Sequence, residues 1–268
     1  MVVGANEIVL PAAKEFYIWL VGTYLPGRYP TMYSRGEGAI HCLSLGTSIS
    51  LEPPSDVNEI LRIIAMNVDA EFFFVQRQDN VYVARGFINC YPFTFDTRHK
   101  LNKTLAQIHG TVPGFKTKLQ KSMDRYFASL PKGKIVKRHS WNIALDPYLY
   151  SPGTNPLRYL PTYIMVKIRT VLEILRIGFP KMAKEDVDPD QVTVRCERQT
   201  LHRLMENDDT MVFTFQTYQY PLRQIHEEGS GEDLAEAIMG IKGGNVPEME
   251  WYKASVYYEN AIAEFLRH

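Results

Sequence analysis

Two pairs of strand-like runs, each joined by a short polar turn, constrain the fold of this chain most. Residues 72–77 and 81–88 flank the turn at residues 78–80, which contains Asp-Asn, a composition typical of a β-hairpin. Residues 191–199 and 211–220 alternate apolar and polar side chains on either side of a second polar turn. Because strands joined by such short turns pair antiparallel, the sequence predicts an antiparallel sheet.

Helical patterns lie before, between and after these strands. Apolar residues recur at helical spacing over residues 12–24 and 56–66, and again in two C-terminal stretches, 232–241 and 247–266. Strands in hairpins combined with such helices predict an α+β fold, with packed helices against the sheet.

We expect a single domain over residues 1–268. Another strand is predicted at residues 136–144. Residues at about 150–188 contain several prolines around one amphipathic helix, and we interpret them as an insertion.

Composition argues against several classes of protein. Hydrophobic residues make up 45% of the chain, which is enough for a large core. Thirty basic and thirty acidic residues cancel, so no overall charge attracts nucleic acid, and no nucleic-acid partner is expected. Cys42, Cys90 and Cys196 are scattered, without a CxxC pair. This pattern disfavours a disulfide framework, a structural zinc site and a four-cysteine iron–sulfur cluster, and it predicts a reducing, cytoplasmic location.

The longest apolar stretch, residues 160–179, is interrupted by four charged residues. Charges inside a bilayer are costly, so no membrane span is predicted. No GxSxG, Walker or GxGxxG motif occurs in the sequence.

His109 is the candidate metal ligand. It is predicted to end a short helix capped by Asp96 or Thr97, ahead of Gly110. A turn then leads to a second helix, whose predicted buried face is Phe115, Leu119, Met123, Tyr126, Phe127 and Leu130. A single histidine suits haem iron, because the porphyrin supplies four other ligands. A hydrogen-bonded core histidine is the alternative.

Polar side chains on one predicted strand form a second candidate group. Thr193, Arg195, Glu197 and Gln199 alternate with apolar residues and therefore share a face. Arg195, Glu197, Arg198 and Gln199 are either the wall of a polar pocket or a solvated strand face.

Four motifs stand in a characteristic order along the chain: RYP at residues 28–30; IHGTVPG at 108–114 with its continuation to residue 131; Arg138 with Trp141; and RCERQTL at 195–201 with Arg203-Leu204. In this order and spacing they resemble the haem-dependent oxidative N-demethylase-like family.

The resemblance implies a PAS-like domain that binds haem b, activates dioxygen and oxidises a small amine. It also implies a separate reductase with flavin and iron–sulfur centres as electron donor. His109 corresponds to the family's candidate iron ligand. The other residues implied at the cofactor are Arg138, Trp141 and Arg198. Those implied at the substrate are Arg195, Glu197 and Tyr218.

Two other functions remain open at this stage. A PAS-like domain can also be a haem or small-ligand binding module without turnover, and a degenerate member of the family could lack haem. For Glu197, the alternative to substrate binding is an internal ion pair with Arg195, Arg198 or Arg138, which would make it structural.

Overall fold

The computed structural model describes residues 2–93, 96–151 and 181–268. These residues form a six-stranded antiparallel sheet, a smaller three-stranded sheet and packed helices. The predicted α+β class and antiparallel sheet are therefore confirmed. Most of the predicted insertion lies outside the described residues.

The strands are as follows, in chain order: β1 Val2–Ala5, β2 Tyr33–Arg35, β3 Ala39–Cys42, β4 Thr47–Ser50, β5 Glu71–Gln78, β6 Val81–Asn89, β7 Ile135–Ala144, β8 Thr193–Arg203 and β9 Thr210–Pro221. The large sheet has the order β1-β6-β5-β9-β8-β7, and each neighbouring pair is antiparallel. The small sheet has the order β2-β3-β4.

The α-helices are α1 Leu10–Trp19, α2 Leu25–Arg28, α3 Val57–Asn67, α4 Leu105–Ile108, α5 Gln120–Ser129, α6 Leu222–Glu227, α7 Gly231–Met239, α8 Met249–Tyr252 and α9 Ser255–Arg267. Helices α1 and α2 belong to one helical run, Glu7–Arg28, which is long and apolar enough by composition to cross a membrane. Half of its most apolar window is buried inside the molecule. Residues 160–179, on which the prediction of no span was based, lie outside the described residues.

Both predicted hairpins are confirmed. Asp79 and Asn80 join β5 to β6 with φ angles of 47° and 68°, the left-handed values that a two-residue type I′ turn requires. Strands β8 and β9 pair along their whole length, from Thr193 opposite Pro221 to Arg203 opposite Met211.

Side-chain alternation divides the large sheet into two faces. One, the helix face, carries Phe72, Phe74 and Val212, which pack with helices α1 and α3 in one apolar core. Near β7 and β8 the same face carries Ile143 and Val194, which pack with the C-terminal helices. The opposite face, the cavity face, lies towards α4 and α5 and is where polar residues of β8 collect.

The helix pair around His109 differs from its prediction in detail. Thr104 caps α4, because its hydroxyl accepts from the Gln107 N–H while the Gln107 side chain accepts from the Thr104 N–H. Asp96 instead caps a separate 3₁₀ turn, Thr97–Lys100. As predicted, His109 closes this helix: α4 ends at Ile108, and His109 is its C-cap residue.

Two residues assigned to the buried face of the second helix are exposed. Leu119 and Tyr126 face solvent, whereas Phe115 is buried. The first turn of this helix, Phe115–Leu119, is π-helical. The wider turn rotates the following positions, so a stripe extrapolated at 3.6 residues per turn does not stay buried.

Candidate functional site

A cavity of about 1100 Å³ lies between the cavity face of the sheet and a cover built from α4, α5 and residues 245–253. Ligand pockets are commonly roughly 300–1000 Å³, so this one is large enough for a cofactor together with a small substrate. Much of its wall is apolar: Phe73, Val75, Phe213 and Phe215 from the sheet, and Leu105, Ile108, Met123 and Phe127 from the cover.

The two parts of the cover are joined to each other. Gly114 has a φ of 71°, and a Cβ atom there would lie 2.9 Å from the side chain of Val246. Glycine is therefore needed for both the turn and the contact. Next to it, the Lys118 ammonium donates a hydrogen bond to the Asn245 carbonyl.

His109 lines the cavity with a defined tautomer. Its Nδ1 lies 2.8 Å from the carbonyl oxygen of Leu105. A carbonyl only accepts, so Nδ1 carries the proton and Nε2 keeps the lone pair. Burial lowers the pKa of His109, and the positive charges of Lys100 and Arg138 lower it further, against the opposing hydrogen bond to Leu105. The ring also stacks on Phe115 at a centroid distance of 4.9 Å.

Arg195 is held rigidly in the cavity wall. It is only 2% exposed, its guanidinium lies over the Phe93 ring at 4.3 Å, and Nη1 donates to the Tyr148 carbonyl at 3.0 Å. A buried guanidinium in this setting supplies a fixed positive charge, stabilised by the aromatic face.

Glu197 belongs to a hydrogen-bonded chain along the cavity face. The Gln199 amide donates to Glu197 Oε2 at 2.8 Å, and Arg138 Nε donates to Gln199 Oε1 at 2.6 Å. Glu197 is thus bonded to a neutral amide, and within the described residues none of the three nearby arginines forms an ion pair with it. Arg195, Glu197, Arg138 and His109, which the resemblance implies at the site, all line this one cavity.

A family model described as haem-dependent oxidative N-demethylase, alpha subunit-like, matches residues 1–263. The chain belongs to this family. No curated protein matches it significantly. The family description names haem and oxidative N-demethylation, and the cavity brings together residues from the segments RCERQTL and IHGTVPG of this chain.

Three residues assigned to the family's site by resemblance lie elsewhere. Trp141, Arg198 and Tyr218 are on the helix face, because each is one residue out of phase with a cavity-lining neighbour. Trp141 packs with the C-terminal core and receives Lys253 on its ring. Arg198 is exposed, and Tyr218, 37% exposed, donates to Gln216 at 2.7 Å.

Glu71 is a cavity residue that the sequence analysis missed. It is 3% exposed at the start of β5, and its Oε1 accepts from the Tyr91 N–H at 2.9 Å. Burial raises its pKa to about 8, with Glu197 and Asp69 adding to the rise, against the Tyr91 hydrogen bond and Arg195. Glu71 is therefore a neutral acid at pH 7. Two-residue alternation along the strand puts Glu71 on the same face as Phe73 and Val75 and could have identified it. The predicted strand, however, began one residue later, at Phe72.

Glu71→Gln replaces this acid with a neutral amide of the same shape. In the unfolded chain Glu71 loses its proton near the ordinary value of 4.5, while in the folded protein it keeps it up to about 8. The folded state thus holds an extra proton between these values, and wild-type stability falls across that window. Each pH unit in this window contributes about 1.4 kcal/mol, so we expect the stability of the variant relative to wild type to rise by up to about 5 kcal/mol between about pH 4.5 and pH 8.

Denaturant unfolding at both pH values measures this gain. Glu52→Gln, at an exposed carboxylate away from the cavity, is the control and should show no such trend. A Glu71→Gln difference that is independent of pH would mean that Glu71 is ionised in the folded protein.

Proposed function

We propose that this chain is a haem-dependent oxidoreductase that uses dioxygen to oxidise a small amine within the cavity. The observation that carries the proposal is the His109 imidazole, whose Nδ1–H is engaged by Leu105 and whose Nε2 is left as an electron-pair donor. Haem-ligating and metal-ligating histidines have this arrangement, because the outer hydrogen bond orients the ring and raises its basicity.

The residues around the cavity fit a haem group. His109 would hold the iron, and Arg138, exposed near the cavity, would pair with a carboxylate of the porphyrin. Aromatic and aliphatic walls suit the flat apolar ring. The sequence has no CxxCH motif for covalent attachment, which favours haem b. When bound, haem supplies the binding and reduction of dioxygen.

The chain's own residues bind and orient the amine. A small amine is cationic at neutral pH, as the lysine ammonium is with its pKa of about 10.4. The Glu197 carboxylate, half-buried and hydrogen-bonded to Gln199, attracts that cation. Arg195 lies in the cavity wall on the same strand face as Glu197. The phenylalanines of the wall exclude water from the methyl groups of the substrate. Tyr218, on the other face, is left out of this role.

Electrons are proposed to come from a separate reductase. The sequence has no dinucleotide-binding fingerprint and only three scattered cysteines, so it has neither a nicotinamide site of that type nor the ligands of an iron–sulfur relay. Dioxygen and the amine are the small-molecule partners.

His109→Ala removes the proposed iron ligand. We expect haem-reconstituted protein to lose or shift its Soret band, while the far-ultraviolet circular dichroism stays close to wild type, because only the side chain that follows the last residue of α4 is removed. His139→Ala, on an exposed histidine outside the cavity lining, is the matched control and should keep the spectrum. An unaltered Soret band in His109→Ala would rule out this ligand.

Glu197→Gln keeps the shape of the side chain but removes its charge. We expect dimethylammonium to bind about tenfold more weakly or worse, which corresponds to roughly 1.4 kcal/mol. Haem content and melting temperature should stay near wild type. Titration of the haem spectrum with dimethylammonium measures the affinity, with Glu52→Gln as control. A lower melting temperature with unchanged affinity would make Glu197 a structural residue.

A further inference from the structure

Glu71 and Asn89 are two buried polar residues of the cavity lining, on the neighbouring strands β5 and β6. Strands β5 and β6 pair Phe72 with Ile88, so the next step of the antiparallel register brings Glu71 opposite Asn89, on the same face of the sheet. Asn89 is fully buried and Glu71 nearly so, and both line the cavity.

Each of these two side chains has one satisfied group and one open oxygen. Glu71 Oε1 accepts from the Tyr91 N–H, and Asn89 Nδ2 donates to the Thr97 hydroxyl at 2.6 Å. Glu71 Oε2 and Asn89 Oδ1 have no hydrogen-bond partner within the described part of the chain. Buried polar atoms are rarely left in this state. Once Glu71 has lost its proton, both oxygens are acceptors, and a ligand with two N–H donors matches them.

Burial is the main reason that the pKa of Glu71 is raised, and the charges that face Glu71 modify this shift. Glu197 on β8 and Asp69 ahead of β5 disfavour a second negative charge, and Arg195 on β8 favours it. The thiol of Cys90, after β6, also interacts with the Glu71 carboxyl. More basic and acidic groups line the cavity on other elements: Lys100, His109, Lys118, Arg138, Glu248 and Lys253. A cation bound between Glu71 and Glu197 would allow both carboxyls to be ionised.

We propose that Glu71 and Asn89 form a subsite for the ammonium group of the substrate, and that Glu71 releases its proton to solvent when the cation binds. The O–H bond of Glu71 breaks and the proton passes to the buffer. The ammonium keeps its N–H bonds, which donate to Glu71 Oε2 and Asn89 Oδ1. This inference rests on the proposed function in taking an amine as the ligand.

Calorimetric titration of haem-reconstituted protein with dimethylammonium chloride tests the proton release. In buffers of different ionisation enthalpy at pH 7, wild type should release close to one proton per cation bound, because Glu71 with a pKa of about 8 is mostly protonated there. The dissociation constant should fall by about tenfold per pH unit up to about pH 8 and then level off.

Two comparisons isolate the subsite. Glu71→Gln should release almost no proton and lose the pH dependence of affinity, whereas Glu52→Gln should behave as wild type. Tetramethylammonium, which has the same charge but no N–H group, should bind at least about tenfold more weakly than dimethylammonium to wild type, since it leaves both oxygens unpaired.

The inference is overturned if wild type binds dimethylammonium without releasing a proton, if Glu71→Gln releases as many protons as wild type, or if no binding occurs. The Soret band, recorded on the same samples, separates this outcome from the proposed function. If the protein binds no haem but still releases a proton when the cation binds, the result would support the subsite and contradict the proposed haem enzyme. If haem-bound Glu71→Gln binds dimethylammonium as tightly as wild type, the haem enzyme would remain possible and the Glu71 subsite would be ruled out.

Discussion

The two-residue alternation of side chains along β8 and β9 is the constraint on which the site depends. It puts Arg195, Glu197 and Gln199 on one face of the sheet and Val194 and its apolar neighbours on the other. Helices α1 and α3 and the C-terminal helices cover the helix face of the sheet. The cavity face, with its charged residues, is therefore left to form a cavity wall. A shift of register by one residue would bury the charges under helices and open the core.

The cavity concentrates charge in a chain whose total charge is zero. Glu71, Glu197 and Arg195 lie in an apolar wall, where ionised groups are costly unless they are paired or hydrogen-bonded. Arg195 meets this requirement through Phe93 and Tyr148, and Glu197 through Gln199. Glu71 meets it by remaining protonated. Glu71 Oε2 and Asn89 Oδ1 have no hydrogen-bond partner within the described residues, and a cationic ligand could bind them.

Much of the fold could be predicted from local patterns. The hairpin turn at Asp79 and Asn80, the inner face of α3 and the end of α4 at His109 all follow from residues close in sequence. The family motifs likewise predicted the family. Alternation within residues 191–199 correctly placed Arg195 and Glu197 on one face, but Arg198, which was assigned to the same pocket wall, lies on the other face.

Other parts of the site depend on long-range pairing that no local pattern contains. Glu71 and Asn89 enter the same cavity wall because β5 pairs with β6, and Gly114 meets Val246 only when the two parts of the cover pack together. Trp141 and Tyr218 were assigned by resemblance. A resemblance gives a residue's position along the chain, but the strand pairing decides which face of the sheet its side chain occupies.

The central claim is that His109 holds haem iron inside this cavity, and a crystal structure of the haem-loaded protein tests it most directly. The account predicts iron bonded to Nε2 of His109, Nδ1 still donating to Leu105, and the porphyrin ring lying between the sheet and the cover. Iron bonded to a different side chain, or haem outside the cavity, would contradict it.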